Sequence, residues 1–422
     1  MNKVQSCNII TLFCVLIFGF AVATLLSPDV EYSETENRTL AQMPEVSLNA
    51  LTDGSFESDY EDYLTDQFVL RDAWIALKTD TERLMGRTSS NDIFFADDDY
   101  LIEAHTDTFT SDQAATNIQI LASFVEKYVE IFGTDHMTVM IVPNAVDILR
   151  DKLPAFASPY DEGEYLEQIE EVLTDAVGTA DLESMPDASE ENILETSETS
   201  EASEASEALL VMNDSLFSGV WFDARSVLQE HSEEELCYRT DHHWKTLGAF
   251  YVYQAWAGAR GYTVPTTESY TVETVTEDFE GTIQSKLGIH TVTDSIELYL
   301  DSSDPYYTVE KDGSGEISYS LYDYSALDTK SKYDIFFGGN NALTQITTRA
   351  GTGRKILVVK DSYAHCFVPF LLSEFDEIDV LDIRYYNQEI SGLIEEEGYT
   401  DLLFLYNASG FAEDTSLAKL LY

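Results

Sequence analysis

Lys355-Ile356-Leu357-Val358-Val359-Lys360-Asp361-Ser362 is an apolar run that stops abruptly at a charged residue, an acid and a serine. A short continuous apolar run bounded by polar residues predicts a strand buried on both faces. Two more such runs follow, Ile378-Asp379-Val380-Leu381-Asp382-Ile383 and Leu402-Leu403-Phe404-Leu405-Tyr406. Between the runs, residues 364–373 predict a helix bent or interrupted near Pro369. Residues 388–397 predict a second helix, stopped by Gly398. Strand, helix, strand, helix, strand implies a parallel sheet with right-handed crossovers. Sites in such sheets lie at the carboxyl ends of the strands. Ser362, Arg384 and Asn407 each stand just past one of those ends.

Upstream, residues 111–132 predict an amphipathic helix capped by Ser111-Asp112 and closed by Gly133. Met137-Thr138-Val139-Met140-Ile141-Val142 then predicts a further buried strand, so the α/β alternation begins here. Residues 29–110 start polar and extended and become helical, with Phe56, Tyr60, Tyr63, Leu64, Phe68 and Leu70 recurring at helical spacing. Residues 245–259 predict a helix ending at Gly261. Residues 263–335 are rich in Thr, Val and Tyr with recurrent turn signals, which predicts a β-rich insertion. Residues 181–210 are dominated by Glu, Ser, Ala and Thr and bury too little apolar surface to offset ordering entropy, so a disordered acidic insertion is expected. The resulting organisation is 1–28 as signal anchor or signal peptide, 29–110 as an extended and helical segment, and 111–422 as the α/β domain.

The 422 residues carry a formal net charge of −55. Such a chain repels nucleic acid and anionic lipid surfaces. Lys3 precedes a run of mostly apolar residues from 8 to 26, and Asp29, Glu31, Glu34 and Glu36 follow it. That flank asymmetry predicts an N-terminus in the cytoplasm and the remainder outside the cell membrane. Ala21-Val22-Ala23 resembles a cleavage site, so secretion after removal of a signal is the alternative. Contact with the membrane is expected through this segment only. Cys237 and Cys366 are either a disulfide or two buried thiols.

The chemistry concentrates in Tyr238-Arg239-Thr240-Asp241-His242-His243-Trp244 and Lys360-Asp361-Ser362-Tyr363. Asp, His and Ser are the parts of an activated hydroxyl nucleophile. Asp241 and His243 are two apart, so in extended chain both point one way and His242 the other. Capping of the following helix by Thr240 or Asp241 is the plainer alternative, as is an N-cap role for Ser362. Asn407, Gly339 and Asn340 are candidates for an oxyanion hole or for ordinary turns. His242, Trp244 and Arg384 are secondary candidates. A metal site would draw on Asp241, His242, His243, His365 and Cys366, but the spacing lacks any His-x-x-x-His or Cys-x-x-Cys pair. Neither a metal nor another cofactor is expected.

These motifs resemble the DHHW protein family, and Asp241-x-His243-Trp244 is similar to the corresponding element of alginate O-acetyltransferase-like proteins, a permuted branch of the SGNH hydrolases. Asn37-Arg38-Thr39-Leu40 with Pro44, Asp66-Gln67-Phe68 with Arg71, Phe279-Glu280-Gly281-Thr282 and Phe337-Gly338-Gly339-Asn340 extend the resemblance. Lys360 departs from the glycine many members carry. The resemblance implies a three-layer SGNH-hydrolase-like α/β fold and an exported serine O-acetyltransferase or esterase. Ser362 would be nucleophile, His243 base and Asp241 its orienter. The expected partners are an acetylated polysaccharide or an acyl donor protein. A non-catalytic glycan-binding or envelope-assembly protein on the same fold is the alternative.

Overall fold

The computed structural model describes residues 3–33, 38–184 and 216–422. Most of the acidic segment expected to be disordered, from 185 onward, lies outside the described residues, as does Asn37. The chain divides into two compact units, Met1–Asn91 with Thr282–Thr291, and Asp92–Gly281 with Val292–Tyr422.

In the first unit, the helix Lys3–Leu26 contains a 22-residue stretch, Gln5–Leu26, long and apolar enough to cross a membrane. The expected single helical region through Leu70 is instead two helices, Ser55–Asp66 and Arg71–Leu84. Between them Leu70 takes a left-handed conformation, φ 58°. Gln67 explains the break. Its side chain accepts from Val30 N–H at 2.8 Å and donates to the Val30 and Ala41 carbonyls at 2.9 and 3.0 Å. Three bonds to extended backbone outweigh the one helical turn that is lost.

The second unit is built on a sheet. Its strands are β1 (Met137–Val142), β2 (Phe217–Ser218), β3 (Trp221–Phe222), β4 (Thr308–Lys311), β5 (Ile317–Ser318), β6 (Leu343–Thr347), β7 (Lys355–Lys360), β8 (Glu377–Leu381) and β9 (Asp401–Asn407). Their order is β5-β4-β6-β8-β7-β9-β1-β3-β2. The pairings β8–β7, β7–β9, β9–β1 and β1–β3 are parallel, and the flanking pairs are antiparallel.

Alternation along each central strand feeds two cores. Ile356 and Val358 join one, with Leu403, Leu405, Met140 and the helix Thr246–Ala259. Leu357 and Val359 join the other, with Leu402, Phe404 and the helix Asp112–Phe132. These four β7 residues are fully buried, each worth about 1.5–3 kcal/mol. This is a three-layer α/β fold. The long hairpin Tyr270–Phe279 with Asp294–Asp301 and the strands β4 and β5 account for much of the Thr/Tyr-rich stretch.

An element of the second unit also differs from its expected form. Residues 364–373 do not make an α-helix but two short 3-10 segments, Ser362–Cys366 and Val368–Ser373. Pro369 has no N–H to give and its ring crowds the carbonyl four residues earlier, which disfavours a continuous α-helix.

Candidate active site

The carboxyl ends of β7 and β9 hold the site's floor. Asp361 follows β7 directly and caps the next turn, its Oδ1 accepting from Tyr363 N–H at 2.9 Å. Its Oδ2 accepts from the backbone N–H and the side-chain amide of Asn407, at 2.8 and 2.6 Å. Burial nevertheless pushes the Asp361 carboxyl up to about 6, against the pull of Arg384 and these donors. Capping thus falls to Asp361, and Ser362 is left half-buried at the first position of the turn. Among the described residues no acceptor takes the Ser362 backbone N–H, as befits a first-turn donor.

Opposite stands the Asp-His-His-Trp loop. His243 Nε2 lies 2.8 Å from Ser362 Oγ, and His243 Nδ1 lies 2.6 Å from Asp241 Oδ1. The same Oδ1 accepts from the His243 backbone N–H at 3.1 Å. The loop is therefore a bend closed by the aspartate on its own backbone, not extended chain. This corrects the expectation that His242 points away: its Nδ1 is 3.6 Å from Asp241 Oδ1 and its ring centroid 4.0 Å from that of His243. The helix Thr246–Ala259 begins at Lys245 without a side-chain cap, so neither Thr240 nor Asp241 serves that purpose.

Several residues hold the loop in place. Asp294 accepts from the N–H groups of Arg239 and Thr240 and from the Thr240 hydroxyl, at 3.0, 2.9 and 2.7 Å. Thr240 Oγ1 in turn accepts from Gly281 N–H at 2.9 Å. A Cβ on Gly281 would come within 2.3 Å of Asp241 Cβ, so only glycine fits. Trp244, fully buried, donates its indole N–H to the Tyr363 carbonyl at 2.8 Å and joins the two motifs. The Tyr363 hydroxyl donates back to the His242 carbonyl at 2.6 Å.

The remaining candidates take other positions. Asn407 spends its amide on Asp361 and accepts from Asn144 Nδ2 at 3.1 Å and Gly410 N–H at 2.8 Å. Gly339 N–H donates to the Phe336 carbonyl, and Asn340 Oδ1 accepts from Arg384 at 3.4 Å. None of the three hydrogen-bonds Ser362 among the described residues; a donor to an oxyanion would face the substrate and not the nucleophile. Arg384 grips Asp382 with two bonds, at 2.8 and 2.7 Å. Lys360 is buried, 2.9 Å from Asp382 Oδ2 and 2.8 Å from His365 Nε2. Burial lowers the Lys360 ammonium and, with Lys360 alongside, holds His365 well below the usual imidazole range. Lys360 therefore completes a buried ion cluster with Asp382 and Arg384, two residues before Ser362.

Asp241, His242 and His243 bring potential ligand atoms within 4.8 Å of one another. Both His243 nitrogens already have partners, Asp241 and Ser362, so the arrangement favours proton transfer over ligation. Cys237 and Cys366 are free, buried thiols, each pushed up to about 12 by burial, and are therefore unreactive. Sequence reasoning missed Asp294 and Tyr333. Neither belongs to a motif, and each reaches the site only through the fold.

The fold and this constellation define a three-layer α/β protein with an aligned Ser-His-Asp set. Residues 172–381, about half of the chain, match the DHHW protein family. Over that segment the chain is similar to the DHHW family. A DHHW family protein from Eubacterium siraeum is 21% identical, covering 78% of this chain and 95% of its own, with a TM-score of 0.53. PatB1 from Bacillus cereus is 18% identical over 77% of this chain and 98% of its own, TM-score 0.51. The same PatB1 with a sulfonyl adduct gives 19%, 78%, 99% and 0.50. At these identities the likeness shows the fold. No curated protein matches the chain.

Proposed function

We propose that this protein is an exported serine O-acetyltransferase or esterase acting on a polysaccharide, held at the cell membrane by Gln5–Leu26 with its catalytic unit outside. The observation that carries the reading is the aligned pair of short contacts, Ser362 Oγ to His243 Nε2 at 2.8 Å and His243 Nδ1 to Asp241 Oδ1 at 2.6 Å. Asp241 fixes the tautomer with the proton on Nδ1, which leaves Nε2 to accept the Ser362 proton. Ser362 Oγ then bonds to the acetyl carbonyl carbon. The Ser362 N–H, which no acceptor takes among the described residues, would donate to the developing oxyanion. Collapse expels the alcohol, which takes the proton back from Nε2, and leaves an acetyl-serine. Water or a sugar hydroxyl, deprotonated by the same nitrogen, releases the acetyl group as acid or new ester.

The acceptor is proposed to be a neutral or cationic polymer, because a net charge of −55 opposes approach of a polyanion. A groove of about 740 Å³, lined in part by Tyr385, Tyr386, Asn387 and Gln388 and by none of Ser362, His243 and Asp241, is proposed to hold the polymer away from the reacting atoms. The test is acetyl transfer from a chromogenic ester to a panel of neutral, amino-sugar and uronic-acid oligosaccharides, alongside Ser362→Ala. Transfer to the first two, lost in Ser362→Ala, supports the reading. Equal or better transfer to uronic-acid chains refutes the charge argument.

A further inference from the structure

The ring of Tyr333 lies flat against the imidazole of His243, with centroids 3.8 Å apart and planes 16° from parallel. Tyr333 is buried and sits in the short turn Lys332–Ile335, within the stretch that sequence reading treats as an insertion. Tyr238, in an edge-to-face pair with a centroid at 6.1 Å, and Phe336, tilted with a centroid at 5.1 Å, brace it. Its hydroxyl is 3.5 Å from the Ser362 carbonyl oxygen. One side chain thus touches both the base and the backbone of the nucleophile.

We propose that Tyr333 is a positioning residue that stabilises the imidazolium form of His243 through its aromatic face. This rests on the relay proposed above. When Ser362 Oγ gives its proton to Nε2, the ring acquires a positive charge, and a π-face attracts a cation within about 6 Å. The stack is weak for neutral imidazole and strong for imidazolium, so it favours the transition state over the ground state. Other groups facing the imidazole are Asp241, His242, Ser362, Tyr363 and His365. Of these, Asp241 acts in the same direction as Tyr333. His365, held neutral, adds no opposing charge.

The experiment compares wild type, Tyr333→Phe and Tyr333→Leu as full chains. Tyr333→Leu keeps an apolar side chain and removes the face, and it is expected to lower kcat about tenfold with KM little changed. The acid limb of its pH–rate profile should move to lower pH, by about one unit, because the cation has lost support. Tyr333→Phe should restore both. An NMR titration of the His243 ring protons in the same three proteins reads the shift without turnover. Failure of the relay itself would appear as absence of acyl-enzyme in wild type, which this titration does not require. The inference is overturned if the His243 titration is the same in Tyr333→Leu as in wild type, or if Tyr333→Phe behaves like Tyr333→Leu.

Discussion

Replacing Gly281 by alanine tests whether the position of Asp241 sets activity. The added methyl would meet Asp241 Cβ at 2.3 Å, the Thr240 carbonyl at 2.5 Å and Asp241 Cα at 2.6 Å, where ordinary contact starts at 3.4 Å. Asp241 must retreat by about 1 Å, and two of these three atoms are backbone that cannot swing aside. A displacement of that size breaks the 2.6 Å contact to His243 Nδ1. Misplacement by about 1 Å costs on the order of 10²-fold in rate, and overpacking costs about 1–3 kcal/mol of stability. The assay is kcat on a small chromogenic acetyl ester, measured where thermal melts show the variant folded. Gly392→Ala, with nothing within 4 Å of the new methyl, is the control. Wild-type kcat and unchanged melting in Gly281→Ala would mean that the seat of Asp241 does not limit turnover.

Asp241→Asn should lower kcat about 10³- to 10⁴-fold with KM nearly unchanged, because the amide no longer fixes the tautomer; steady-state kinetics reads this directly. Burial pushes the Glu162 carboxyl up to about 8, so the folded state binds this proton more tightly than the unfolded chain. Stability from this group is full below about pH 4.5 and is lost as pH rises through about 8, at roughly 1.4 kcal/mol per unit. Glu162→Gln should remove that slope, so melting curves of variant and wild type should diverge between about pH 5 and 8 and not run parallel. Tyr385→Ala should raise KM for a polymeric acceptor by about two- to tenfold and leave small-ester turnover unchanged.

The central strands were legible because residues such as Ile356 to Val359 are buried on both faces, which leaves a continuous apolar run. Ser362, His243 and Asp241 were legible as residue types at a strand end and in a compact motif. Their meeting across 119 residues was not. The side on which His242 lies depends on Asp241 bonding its own backbone and turning the chain, which simple alternation of side chains does not reveal. Asp294 and Tyr333 lie in Thr- and Tyr-rich sequence whose pattern reports only hairpins. Their contacts depend on how the hairpin and the turn at 332–335 fold back, and no local spacing encodes that. Lys360 reads only as the charged end of an apolar run, while its partner Asp382 stands at the end of another strand.

Acylation of Ser362 is the event on which the proposed chemistry stands. Full-length protein in detergent would be mixed with an excess of chromogenic acetyl ester, quenched in acid and mapped by peptide mass. The expected result is a burst of product and one acetyl group on Ser362, both absent in Ser362→Ala and strongly reduced in Asp241→Asn. Acetylation at another residue, or turnover that survives in Ser362→Ala, would overturn the assignment of Ser362 as nucleophile.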